Sequence, residues 1–190
     1  MTLAVIVLLT YGNLRGVKEA GKAFALPTYL FVGAMAVVFI IGIYRELTGG
    51  LVMLDVNQPG AVPIGESQGL LSFAAIFILL RAFANGGSSL TGLEAISDGV
   101  SLFKAPEQVN ARKTLVIMST ILGSLVLGVS WFAHKIHAIP YESETPTVIS
   151  QIAKAILGEG TFGNVFFVLV QAATMLILFA GANTTYSAFP

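Results

Sequence analysis

Apolar residues run through this chain in long blocks separated by short polar ones. Residues 1–13 carry no charge for 13 positions, 23–44 none for 22, 114–133 none for 20, and 160–190 none for 31. Residues 67–93 carry a single charge, Arg81. A helix rises about 1.5 Å per residue, so about 20 apolar residues cross a hydrocarbon slab about 30 Å thick. The blocks therefore predict spanning helices over 23–44, 114–133 and 161–186, an interrupted span over 69–100, and a partial one over 1–11. The first block is not a secretory signal. Such a segment has basic residues before its apolar run, whereas here Met1 opens the run and Arg15, Lys18 and Lys22 follow it. It reads as the last half of a spanning helix. The end at Ser187-Ala188-Phe189-Pro190 has no polar tail. Residues 1–190 are thus expected to be a single transmembrane piece of a longer protein.

The polar segments orient the spans. Residues 12–22 hold Arg15, Lys18 and Lys22, and 45–66 hold Arg45 alone among basic residues. Residues 95–113 hold Lys104, Arg112 and Lys113, and 134–159 hold Lys135 and Lys154. The positive-inside rule puts the loops at 12–22 and 101–113 in the cytoplasm of a cell-membrane protein. In the second loop, Asn57, Pro59, Gly60 and Pro63 mark turns. The fourth holds a short amphipathic helix over 145–157. Thr145-Pro146 reads as its cap and first position, and Val148, Ile149, Ile152, Ala153, Ile156 and Leu157 recur at helical spacing. Too short to cross, it is expected to lie on the outer face, either as a cover for the bundle or as an external gate.

The interrupted span carries the candidate chemistry. After the apolar run to Phe83 comes Asn85-Gly86-Gly87-Ser88-Ser89-Leu90-Thr91-Gly92. Three glycines and two serines in eight residues are poor material for a continuous helix. Unwound backbone at membrane depth must line protein or water, and transporters place ion and substrate sites at such breaks. Glycine admits close approach of a ligand, and the hydroxyls of Ser88, Ser89 and Thr91 suit a small cation shedding its water. Gly87, Ser88, Ser89, Thr91 and Gly92 are accordingly the expected substrate or ion site. Small residues also serve close helix packing, which is the plainer reading of the same stretch. Glu94 reads either as a proton-coupling group or as a charge paired within the bundle. Arg81 lies 13 residues before it, about 20 Å along an unbroken helix, too far to pair with it. Asp98 is read as a solvated interface charge, Arg112, Lys113 and Trp131 as interfacial anchors, and Asn183, Thr184 and Thr185 as a polar helix end.

Composition narrows the class. Ten basic residues balance ten acidic ones, 11% of residues are charged, and 55% are hydrophobic, with a mean hydropathy of +0.84. No basic surplus exists for nucleic acid, and no cysteine for disulfides or thiolate metal sites. His134 and His137 lack a neighbouring carboxylate in register, and no catalytic triad, phosphate loop or HExxH motif occurs. No enzyme activity, cofactor or resident metal is expected. The bilayer is the expected partner, and a homodimer is compatible with the class.

Three features resemble one superfamily. Asn13-Leu14-Arg15-Gly16-Val17-Lys18-Glu19-Ala20-Gly21-Lys22 is similar to the cytoplasmic loop between helices four and five of the amino acid–polyamine–cation permeases. Thr91-Gly92-Leu93-Glu94 falls where that superfamily has a glycine–apolar–glutamate motif in a broken sixth helix. The stretch from Gly86 to Asp98 is most similar to the KimA-type proton-coupled potassium importers. The resemblance covers essentially the whole chain. It implies an all-α membrane protein, the end of helix four through helix eight of a LeuT-like bundle of two inverted five-helix repeats, with one discontinuous helix. It also implies that Thr91 coordinates the cation and that Glu94 takes part in proton coupling. The family's other ligands lie on helices one, three and ten, outside this chain, so the 190 residues alone are expected to transport nothing. Two other functions stay open: an amino acid permease of the same superfamily, and a structural membrane subunit whose helix continues unbroken through Gly86–Gly92.

Overall fold

The computed structural model describes residues 7, 10, 17–56, 58–61, 73–87, 100, 103–141, 143 and 145–187, with side chains outside 17–24, 85 and 183–187. Five helices are described: α1 (Val17–Leu47), α2 (Phe73–Gly87), α3 (Glu107–Lys135), α4 (Val148–Leu157) and α5 (Thr161–Ser187). Within them, Ala25–Leu47, Glu107–Lys135 and Thr161–Ala182 are long and apolar enough to cross a membrane. Of the segment 1–11, Val7 and Thr10 are described and helical; the rest of that predicted partial span lies outside the described residues. The chain divides into two compact units, Met1–Ala61 with Gly128–Pro190, and Val62–Leu127.

In the first unit α1 outruns its charge-free window at both ends: it starts at Val17, so 17–22 are helix and not the expected loop, and it runs one turn past Tyr44. Arg45 and Glu46 stay helical because their head groups find partners beyond the apolar stripe. Arg45 Nη2 donates to the Leu157 carbonyl at 3.3 Å, and Glu46 pairs with Lys135 at 2.7 Å. The helix then closes with bonds from Gly50 N to Arg45 O (2.8 Å) and from Gly49 N to Glu46 O (3.3 Å). That pair of bonds is a Schellman ending. The end of α3 repeats it, from Ala138 N to Ala133 O and from His137 N to His134 O. There His137 takes the left-handed position at φ 58, where glycine is usual. His137 is thus the stop of a helix.

The core of this unit forms around the one helix that cannot span. Six of the ten α4 residues are buried: Gln151, Ile152, Ala153, Ala155, Ile156 and Leu157. Met35 and Val38 of α1, Phe132 at the end of α3, Ile136 just beyond it and Val170 of α5 are buried as completely. Phe39 and Phe132 stack with centroids 5.7 Å apart. The spans themselves leave wide apolar faces uncovered, as expected of surfaces that meet lipid or other helices.

The sequence expectation for the cap of α4 needs correction. Its cap is Thr147, whose hydroxyl accepts from Ser150 N at 3.2 Å. Thr145 instead contacts Ser143, and Pro146 precedes the helix, its carbonyl accepting from the Gln151 amide. Gly158, at φ 75, turns the chain directly into α5. The helix folds back along α5 far enough for Thr147 to share a groove with Gln171 and Thr174. α4 packs against both α1 and α5.

The loops at 45–66 and 134–147, which the charge pattern puts on one side, meet in space. Leu54 N donates to Ile136 O at 2.8 Å, Ala61 and Tyr141 form an antiparallel bridge, and the Tyr141 hydroxyl bonds Gln58 at 2.6 Å. The C-terminal ends of α1 and α3 lie together with these loops, and α5 starts at the same end.

In the second unit, α2 is apolar and largely exposed, with Arg81 on its surface. Residues 107–127 of α3 belong to this unit. Glu107 in the first turn complements the positive end of the helix, and the Asn110 amide donates to Lys104 O at 2.9 Å just before it.

Candidate functional site

The sequence places the site on the stretch from Gly87 to Glu94, and α2 carries its first residue. Asn85, Gly86 and Gly87 are helical. Of the break expected over 86–92, Gly86 and Gly87 are thus still helical, and the remainder lies outside the described residues. Each glycine weakens a helix by only about 1 kcal/mol relative to alanine, and fourteen residues of α2 precede Gly87 to sustain the last turn. Side chains added at Gly86 or Gly87 would meet nothing within 4 Å, so neither glycine is required by a close neighbour among the described residues. Ser88, Ser89, Thr91, Gly92 and Glu94 lie outside the described residues.

Two further constellations lie in the first unit. One is polar and sits where α1, α3 and the α4–α5 turn meet. Glu46 receives hydrogen bonds from Lys135 at 2.7 Å and from Trp131 Nε1 at 3.1 Å, and the Lys135 ammonium lies 5.0 Å from the Trp131 ring centroid. Trp131 thus does more than anchor at an interface: it fixes a carboxylate beside a cation. Arg45 holds the last carbonyl of α4, and Lys154 reaches Asn164 at 3.1 Å, whose own amide donates to Glu159 O. These contacts join the ends of four helices. Exposed ion pairs contribute little stability singly, so their effect is to fix geometry.

The other is a groove of about 470 Å³ lined by Thr147 of the α4 cap and by α5 residues that include Gln171, Thr174, Met175, Leu178 and Ala182. Its lining is largely apolar, with Gln171 as its amide. The Thr174 hydroxyl donates to Val170 O at 2.8 Å within its own helix, while Gln171 Nε2 is buried without a hydrogen-bond partner. The sequence reading passed over Gln171. The signal was weak: Gln171 is one of three amides, with Asn164 and Asn183, in a 31-residue stretch that carries no charge. Among the described residues, no group of three or more His, Asp or Glu side chains converges as a metal site would.

No known protein-family profile matches the chain. It is 36% identical over 191 aligned residues to the potassium transporter KimA of Bacillus subtilis strain 168, an alignment that covers 100% of this chain and 29% of that protein. The chain therefore spans less than a third of the length of this relative. With three helices long and apolar enough to span, it is part of a multi-pass membrane protein.

Proposed function

We propose that the chain is part of a secondary transporter that takes up potassium by alternating access, coupled to protons. The observation that carries this reading is the 36% identity to a potassium transporter along the whole chain. In it, Ser88, Ser89 and Thr91 give hydroxyl oxygens, and the backbone at Gly87 and Gly92 gives carbonyls, to one half of the cation site. The other half comes from helices outside this chain. A potassium ion sheds water only where enough oxygens replace it, so this piece alone does not transport. Glu94, three residues after Thr91 in the sequence, carries the proton. The segments 12–22 and 101–113 face the cytoplasm.

The test uses the full-length protein that carries this chain, expressed in cells lacking their own potassium uptake. Wild type is expected to restore uptake, and Thr91→Ala to abolish it while the protein still reaches the membrane. Stimulated leucine or arginine flux by the wild type, with no potassium uptake, would establish the amino acid alternative. Glu94→Gln is expected to leave potassium binding in place and remove accumulation driven by an inward proton gradient. Unchanged accumulation would remove Glu94 from the coupling step.

A further inference from the structure

The corner between α4 and α5 is fastened from several sides. Gly158 reverses the chain while its N–H donates back to the Lys154 carbonyl at 3.0 Å. Gly163 lets the first turn of α5 press on the end of α4: a Cβ there would lie 2.6 Å from the Leu157 and Gly158 carbonyl oxygens. Asn164 ties both strands of the corner, accepting from the Lys154 ammonium and donating to the Glu159 carbonyl, each at 3.1 Å. Arg45 reaches in from α1 to the Leu157 carbonyl, where a cation also meets the negative end of the α4 dipole. At the other end of α4, the Gln151 amide holds the backbone of Ile139 and Pro146. A segment that opens by itself needs the opposite: a few residues free to absorb a change in φ and ψ, and few buried apolar contacts. Gly158 is the residue best able to rotate, yet its Cβ position is 3.1 Å from the Arg45 guanidinium, and most of α4 is buried. Arg45 and Glu46 are neighbours on α1 with different partners. The first holds the corner, and the second holds Lys135 and Trp131 of α3. One turn of α1 thereby joins the end of α3 to the end of α4.

We propose that α4 is a fixed wedge. Through the transport cycle it moves only together with α5 and the C-terminal ends of α1 and α3, and it does not open as a gate on its own. Of the two roles expected for this helix, it has that of the cover, and passage at this end is controlled by some other segment. The inference rests on the transporter reading in that it concerns a cycle; the fastening itself is independent of the solute carried.

Distances between spin labels test it, in the full-length protein in nanodiscs and on an otherwise cysteine-free background. Ser150 of α4 is part-exposed, and Val168 of α5 and Ile40 of α1 are exposed, so each accepts a label. The pairs Ser150–Val168 and Ser150–Ile40 are expected to give one narrow distance each, the same with and without potassium. Two populations, or a shift on adding potassium, would show α4 opening by itself and overturn the proposal. Arg45→Met combined with Asn164→Ala is expected to broaden both distributions. Unchanged distributions in that variant would overturn the fastening assigned to these two residues. A tether gives a functional arm. Lys154→Cys and Asn164→Cys, both exposed, are joined by a bifunctional methanethiosulfonate. Potassium uptake is expected to stay within twofold of the untethered protein, whereas loss that reduction restores would make α4 a gate. Wild type that takes up no potassium would remove the transporter reading, and the label distances would still decide whether α4 is fixed.

Discussion

Replacing Gln151 by leucine is expected to release the segment between α3 and α4 and to destabilise the protein by roughly 3–5 kcal/mol. Gln151 is 5% exposed and sits in the first half of the amphipathic helix. Its Oε1 accepts from Ile139 N at 3.1 Å, and its Nε2 donates to Ile139 O at 2.7 Å and to Pro146 O at 3.0 Å. One side chain thereby satisfies three backbone groups that have left α3 and not yet entered α4. Leucine matches the volume and none of the bonds. Each unpaired buried backbone group costs about 1–3 kcal/mol. Ile139 is itself 3% exposed, so water reaches it only after local opening. The checking measurements are the melting temperature of the full-length protein and amide exchange at Ile139, which should become fast. Gln151→Glu should fall in the same direction. Its carboxylate still accepts from Ile139 N, but it meets two carbonyl oxygens with no hydrogen to give them. An Ile139 amide that stays protected in the leucine variant would show that some other group holds this segment.

That prediction also marks where sequence reading stops. Three of the spans were legible because the bilayer imposes a length and a composition that a run of uncharged residues displays directly. The amphipathic helix over 145–157 was legible by the spacing of its apolar residues. Its depth of packing was not, because a stripe of apolar residues does not say how many neighbours close around it. Gln151 reads on paper as one polar position on the wet face of that stripe. Only the return of Ile139 and Pro146 onto it makes it a core residue. Thr145 reads as the cap, whereas the helix starts at Val148 and its Ser150 amide meets the Thr147 hydroxyl. Arg45 and Glu46 read as the start of a loop because charges end a hydropathy window, whereas here their partners lie on other helices. For the candidate site, composition could mark the stretch from Gly87 to Glu94 as chemically unusual. Where its helix ends depends on cooperative bonding from the residues before it, which carries α2 through Gly87.

The second large effect is expected at Gly42, where α1 packs against Phe132 and Ile156. A Cβ built there would lie 2.6 Å from Phe132 Cζ and 2.7 Å from Ile156 Cδ1. Neither neighbour has room to yield: Phe132 is 2% exposed and stacked on Phe39, and Ile156 is wholly buried. Gly128 stands against the other member of that stack, since a Cβ there would overlap the Phe39 ring. The two glycines thus bracket the aromatic pair from opposite helices. Alanine in a helix is better than glycine by about 1 kcal/mol, while overpacking a tight core costs typically about 1–3 kcal/mol. Gly42→Ala should therefore be mildly destabilising. Gly42→Val, with two more methyl groups facing the ring, should destabilise by about 3 kcal/mol or more. The measurement is a double-mutant cycle on melting of the full-length protein. Phe132→Leu alone leaves a cavity and lowers stability; combined with Gly42→Val it should recover part of the loss, because the valine fills the space the ring vacates. The coupling between the two sites should be positive and on the order of 1 kcal/mol or more. Simple additivity would mean that the glycine is retained for something other than the approach of these three helices.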